Sequence, residues 1–104
     1  MHAQIITYQL KNISPEDYVK QMVQPDAPVI AKALGLHSKV WLSNPGENTY
    51  GGFYLWDSRE HMEKFMVSDL VKAVVSRPFL TNVHSANYAV SEDPSRITRG
   101  LLAT

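Results

Sequence analysis

Residues 36–57 read LHSKVWLSNPGENTYGGFYLWD, two runs rich in aromatic and aliphatic residues on either side of a polar turn. Successive side chains of a strand point to opposite faces. Along the first run Leu36, Ser38, Val40 and Leu42 therefore share one face, while His37, Lys39 and Trp41 share the other. Along the second, Phe53 and Leu55 oppose Tyr50, Tyr54 and Trp56. A sheet with one face in water alternates apolar residues with short polar ones. This hairpin carries large side chains on both faces, so both need cover, from helices, a partner subunit, a ligand or a combination of these.

The flanking chain supplies the rest of the topology. Ala3 to Leu10 (AQIITYQL) reads as a strand that ends at Lys11-Asn12. Ser14-Pro15-Glu16-Asp17 starts a helix, with a Ser cap, Pro at the first helical position and two acids against the positive end of the dipole. Tyr18, Val19, Met22 and Val23 form its apolar stripe. Pro25 and Pro28 are expected to break or kink it before Val29, Ile30, Ala33 and Leu34 resume the pattern, and Gly35 closes it. After the hairpin, Asp57-Ser58-Arg59-Glu60 is a second capping pattern, and Met62, Phe65, Met66, Leu70 and Val74 follow at helical spacing through Ser76. Ser68-Asp69 offers a further cap that would divide this region into two shorter helices. Pro78 ends it, and Asn82 to Val90 (NVHSANYAV) alternates as a fourth strand. From Ser91 the tail reads as a polar, solvated segment as far as Leu101-Leu102, with Arg96 and Arg99 following Glu92 and Asp93.

The order β-α-β-β-α-β specifies an α+β, ferredoxin-like fold with an antiparallel sheet, strands one and three central and both helical regions on one face. The other face is not hydrophilic. Its most economical cover is a second copy of the same sheet, which predicts a homodimer of two-fold symmetry packed sheet to sheet.

Length and composition bound the remaining possibilities. The 104 residues make one domain, 1–104, large enough to bury about 60 to 70% of the surface its unfolded chain exposes. Cysteine is absent, which removes disulfides, thiolate catalysis and cysteine-held zinc or iron-sulfur sites. The ten Lys and Arg residues balance ten acids and are scattered among them, so nucleic acid is not an expected partner. No run approaches the roughly 20 apolar residues that span a membrane. The expectation is a soluble, cytoplasmic protein.

Three features together carry a family likeness: Lys39-Val40-Trp41, the run Gly51-Gly52-Phe53-Tyr54-Leu55-Trp56 after a polar turn, and the segment Tyr88 to Thr98 (YAVSEDPSRIT). In this spacing the chain resembles the YdhR-type monooxygenase family from the first strand to the tail. The resemblance implies membership of the dimeric α/β-barrel superfamily, in which two ferredoxin-like subunits pair their sheets. The family is called monooxygenase by analogy. The superfamily includes cofactor-free oxygenases of polycyclic phenols, haem-degrading oxygenases, lactone isomerases, dehydratases and polyketide cyclases, so fold alone does not select a chemistry. The resemblance brings no defined catalytic set to these positions.

The aromatic side chains are the candidate ligand contacts. Trp41, Tyr54 and Trp56 offer stacking area and one polar handle each, and Phe65 and Tyr88 extend the set. The competing reading places them in the core or a dimer interface, where Trp and Tyr are equally at home. Gly51-Gly52 at the start of a strand marks either a bend, a close approach or space left above the sheet for a ligand.

Four histidines, His2, His37, His61 and His84, are the candidate ligating or titrating groups. His37 and His84 fall on opposite edge strands, about 14 Å apart at roughly 4.8 Å per strand, too far to share a metal, and no ligand spacing such as HExxH occurs. No metal and no bound cofactor is expected; haem through a single axial His61 or His84 is the form that this spacing leaves open. For general base work His84 and His61 are the candidates, because imidazole titrates near neutral pH. Removal of a proton beside a phenol would give a carbanion able to react with oxygen directly. The sequence thus supports an oxygenase of a small aromatic or phenolic metabolite, a binding protein of the same fold without turnover, or an isomerase, cyclase or dehydratase using the same pocket.

Overall fold

The computed structural model describes residues 1–101. Strands β1 (His2–Leu10), β2 (Leu36–Asn44), β3 (Thr49–Trp56) and β4 (Leu80–Ala89) form one antiparallel sheet in the order β2-β3-β1-β4. Between β1 and β2 run α1 (Pro15–Tyr18), a π-helical turn (Val19–Val23) and α2 (Gln24–Ile30). Helices α3 (Arg59–Met66) and α4 (Asp69–Val75) connect β3 to β4, and α5 (Glu92–Ile97) follows β4. The arrangement is the ferredoxin-like βαββαβ fold expected from the sequence, with β1 and β3 central. No helix among the described residues is long and apolar enough to cross a membrane.

Serine caps set the helix starts. Ser14 Oγ accepts the Asp17 amide (3.1 Å), Ser58 Oγ the His61 amide (3.2 Å) and Ser68 Oγ the Val71 amide (3.3 Å). The third cap divides the second helical region in two, as Ser68-Asp69 suggested. Pro25 and Pro28 do not break the first region. A proline lacks its N–H and crowds the carbonyl four residues back. The π turn immediately before Pro25 widens the ladder at that point, with the Gln24 amide bonded to the Val19 carbonyl, and the helix continues to Ile30.

Three local features depart from the sequence reading. The β2–β3 register shifts between Leu36 and Ser38, which turns Leu36 away from the face of Val40 and packs it with the cluster around Trp56. Strand β4 begins at Leu80, two residues early, and carries Asn82 at φ 52° beside the register shift opposite Thr7 and Gln9. The start of the tail, Glu92–Ile97, is solvated but helical. Ser91-Glu92-Asp93-Pro94 repeats the serine, acid and proline signal of Ser14, and Arg96 bonds Glu92 (3.0 Å) and Asp93 (3.3 Å) along its surface.

The sheet has two unlike faces. On the helix face His2, Gln4, Tyr8 and Leu10 of β1 and Tyr50, Tyr54 and Trp56 of β3 are buried. One cluster joins Tyr8, Tyr18, Met22, Tyr50 and Leu80; the other joins Ile30, Tyr54, Trp56, Met62 and Phe65. Gln4 is wholly buried between strands and fully paired. It accepts from the Trp56 indole N–H (3.0 Å) and donates to Ser85 Oγ (3.0 Å). On the opposite face Val40, Phe53, Ile5 and Ala86 form one row across the sheet, and Val40 and Tyr88 are 55% and 60% exposed. Among the described residues no helix covers that row.

Gly35 locks the two halves together. Its φ of +79° is a left-handed cap that side-chain-bearing residues adopt with strain. Its carbonyl accepts the Asp57 amide (2.8 Å), and a Cβ on it would fall on the His61 ring. Gly35→Ala is therefore expected to destabilise the domain by about 2 kcal/mol or more, read as a lower urea midpoint at unchanged slope.

Candidate functional site

Between α2 and the edge strand β2 lies a groove of about 310 Å³, lined by Ala27, Ile30 and Ala31 from the helical side and Leu36, His37, Ser38, Lys39 and Trp41 from the strand. Its size is at the lower end of small-molecule sites. Lys39 and Trp41 reach it because alternation puts both on the helix face, in register with Tyr54 and Gly52 respectively. Gly52 is what lets Lys39 lie down. A Cβ there would sit 2.6 Å from Lys39 Cε and 3.3 Å from the Tyr54 ring. The space that the glycine pair opens above the sheet is thus filled by the lysine stem. Gly51 answers a different constraint, since a Cβ on it would strike the Ile6 carbonyl of β1.

The Lys39 ammonium ends 3.3 Å from the centre of the Trp41 ring and 4.5 Å from that of Tyr54. Cation–π attraction of this kind is strongest when water is excluded. Burial removes the solvation that a charged amine needs and pushes Lys39 down to about 7, with Asp26 pulling weakly the other way. Asp26 is itself buried, and both its oxygens are taken by Arg77, at 2.7 and 2.8 Å. That fork fastens α2 to the end of α4 and leaves the lysine without a carboxylate partner among the described residues.

Lys39 and Ile30 also border a second, inner space. This apolar chamber of about 50 Å³ lies between the sheet and the helices, with Ile6, Tyr54, Phe65, Leu70 and Val74 among its walls. Tyr8 is part of its lining and is hydrogen-bonded, hydroxyl to hydroxyl, with Tyr18. Burial raises the Tyr8 and Tyr54 phenols well above the ordinary tyrosine value and moves Tyr18 in the same direction. They remain neutral donors throughout the physiological range.

The residues singled out from sequence divide between these places. Trp41 lines the groove and Tyr54 and Phe65 line the chamber. Trp56 has no exposed surface; it stacks parallel to Tyr54 at 5.9 Å and spends its N–H on Gln4, which makes it a core anchor. Tyr88 and His84 stand on the other face of the sheet, opposite Ala3 and Thr7. His61 is held by Ser58 Oγ at its Nδ1 (2.7 Å) and edges a shallow depression with Lys32, Leu34 and Lys64. His37 lines the groove, 3.9 Å from Asp57. No cluster of three or more metal-ligating side chains exists among the described residues. Lys39, which lines the groove, was not among the candidates, and His37 was weighed only as a metal ligand. The sequence held the signal for the lysine, a charged residue on a strand face otherwise occupied by aromatics.

A family model described as "Putative mono-oxygenase ydhR" matches residues 5–101. The chain belongs to the YdhR family. No curated protein matches this YdhR-family chain in sequence. Among solved structures, it is similar to an antibiotic biosynthesis monooxygenase, so described with reservation, from Deinococcus radiodurans, at 14% identity and a TM-score of 0.73, covering 88% of this chain and 94% of that one. It is also similar to SnoaB, a cofactor-independent oxygenase from Streptomyces nogalater, at 12% identity and TM-score 0.67, covering 88% and 93%. A third likeness is to the haem degrader MhuD from Mycobacterium tuberculosis, at 16% identity and TM-score 0.61, covering 89% and 98%. At these identities the likeness is one of fold.

The lysine of this YdhR-family chain makes stability depend on pH. Its folded-state value is depressed, so between about 7 and the ordinary 10.5 the unfolded chain binds a proton that the folded chain does not, and stability rises with pH across that window. The burden of the buried cation is fully present below it. Lys39→Met is therefore expected to raise the urea midpoint at about pH 6 and to lose most of that advantage at about pH 10. An equal gain at both pH values would show that Lys39 is charged in both states.

Proposed function

We propose that the chain is a cofactor-independent monooxygenase of a small aromatic or phenolic molecule, working as a homodimer joined through the open sheet face. The observation that carries this reading is adjacency: a groove of ligand size, floored by Trp41 and Lys39, shares Lys39 and Ile30 with a small apolar chamber. A flat ring suits the first. The second, apolar and about 50 Å³ in volume, suits dioxygen, a small molecule with no hydrogen bonds to lose. Membership of a family described as mono-oxygenase and a fold shared with a cofactor-independent oxygenase support the reading.

The chemistry needs no external reductant. A methylene carbon beside a phenol, once deprotonated, gives electrons to dioxygen. One oxygen atom becomes the new carbonyl and the other leaves as water with the two hydrogens of that carbon, so the substrate is oxidised by four electrons and dioxygen reduced by four. Trp41 packs against the reacting ring in the groove, Tyr54 and Phe65 keep water out of the adjoining chamber, and the neutral Tyr54 hydroxyl is the donor for oxyanion charge on that side. In the proposed dimer His84 and Tyr88 lie at the seam, and His61 remains at the outer depression. In this reading haem takes no part: the chamber walls contain no histidine, His61 is engaged by Ser58, His84 is on the far face, and His37 of the groove stands 3.9 Å from Asp57.

Oxygen uptake with a panel of hydroquinones and anthrones is expected to exceed the uncatalysed rate, and Trp41→Ala to lower kcat/KM about tenfold or more. Uptake at background with every compound removes the oxygenase reading; a ligand bound without uptake leaves a binding protein. Light scattering is expected to return twice the 11.7 kDa chain mass at micromolar concentration. Val40→Asp, at an exposed position of the open face, is expected to give a folded monomer. A wild-type monomer would remove the dimer.

A further inference from the structure

We propose that Lys39 is an acid–base site for phenols: its amine takes the O–H proton of a phenol lying in the groove and then, as ammonium, holds the phenolate oxygen while the ring rests on Trp41. The proposal relies on the groove being the ligand site, and not on any oxidation following there.

Its first support is an unpaired donor. Among the described residues Lys39 makes no ion pair and no side-chain hydrogen bond, yet no buried side-chain nitrogen or oxygen lacks a partner. The lysine nitrogen must therefore open onto free space, which the groove and the chamber provide on either side of it. A half-buried amine with no counter-ion is electrostatically incomplete. Structural lysines that are drawn inward normally reach a carboxylate. Here the buried carboxylate, Asp26, is held by Arg77 at both oxygens.

The second support is the surroundings. Facing Lys39 are Trp41 and His37 on its own strand, Tyr54 on β3 and Asp26 on α2, with Tyr8 beyond in the chamber and Tyr18 bonded to it. The three tyrosines stay neutral, while burial lowers Lys39 to about 7, so its amine is available to accept a proton near neutral pH. Starting from a neutral amine and a neutral phenol, transfer creates one cation and one anion in contact. The net charge of the groove is unchanged, and contact between the two ions offsets the desolvation that disfavours each of them in a low-polarity site, the more fully the more acidic the phenol. A neutral alcohol gains little from this exchange because it is too weak an acid. An aromatic carboxylate brings a charge with no proton to give. Phenols satisfy both the flat wall and the proton acceptor.

4-Nitrophenol reports the event directly, because only its phenolate is yellow. Bound to the wild-type protein, monitored independently by quenching of tryptophan fluorescence, its phenolate-to-phenol ratio at fixed pH is expected to rise about tenfold or more, one unit of its pKa. Lys39→Met is expected to abolish the rise, while 4-nitroanisole, which has no acidic proton, still binds and quenches tryptophan fluorescence. Lys39→Arg, which keeps a permanent cation, is expected to retain phenolate binding. Unchanged ionisation in Lys39→Met, loss of ionisation in His37→Gln with Lys39 intact, or absence of 4-nitrophenol binding to the wild type would each overturn the proposal. Ionisation that depends on Lys39 together with background oxygen uptake would leave this site standing and remove the oxygenase.

Discussion

Lys39 lies along the sheet over position 52, which has no Cβ, and the edge of the helix face is built on that accommodation. With a side chain at 52, the end of the lysine would have to shift. Laid flat, it sets its amine against the rings of Trp41 and Tyr54. The helices pack chiefly on β1 and β3, where Tyr8, Tyr50, Tyr54 and Trp56 meet Met22, Ile30 and Phe65. Strand β2 is covered on this face largely by its own Lys39 and Trp41. The groove is the part of that edge which α2 does not close.

Polar groups inside the domain fix the geometry around this opening. Gln4 clamps Trp56 and Ser85 across three strands, which holds the aromatic stack of Tyr54 and Trp56 in place beneath the lysine. At the other end, the Asp26 and Arg77 fork sets the distance between α2 and the end of α4, and with it the span of the chamber. Removing one partner of such a pair leaves a buried charge unmatched. The fork also consumes the carboxylate that would otherwise neutralise Lys39. One buried ion pair is satisfied and one buried amine is left available.

Most of the fold was legible because its signals are local and periodic. Alternation in residues 36–57 gave both faces of the hairpin, and the serines at 14, 58 and 68 marked their helix starts through ordinary capping. What escaped depends on single-residue irregularities. Leu36 changed faces because a register shift falls at His37, and the prolines at 25 and 28 were tolerated because a π turn precedes them. The site was less legible than the fold. Aromatic residues that look alike in sequence were sorted by partners distant in the chain: Trp56 by Gln4, Trp41 by Lys39, and Tyr88 by facing the other way. Histidine attracted the base role because it titrates near neutrality unaided, whereas a lysine arrives there only through burial, a property of the folded chain.

Strand β2 ties these two levels together. Its alternate residues serve opposite purposes, Lys39 and Trp41 on the groove and Val40 and Leu42 on the open face. It is also an edge strand, hydrogen-bonded along one side by β3. Edge strands are held by half the backbone bonds of central ones and move more readily. In the proposed dimer, packing a second sheet against Val40 and Leu42 would restrain the backbone that positions Lys39 and Trp41 one residue away. Assembly and ligand binding would then act on the same element from its two sides.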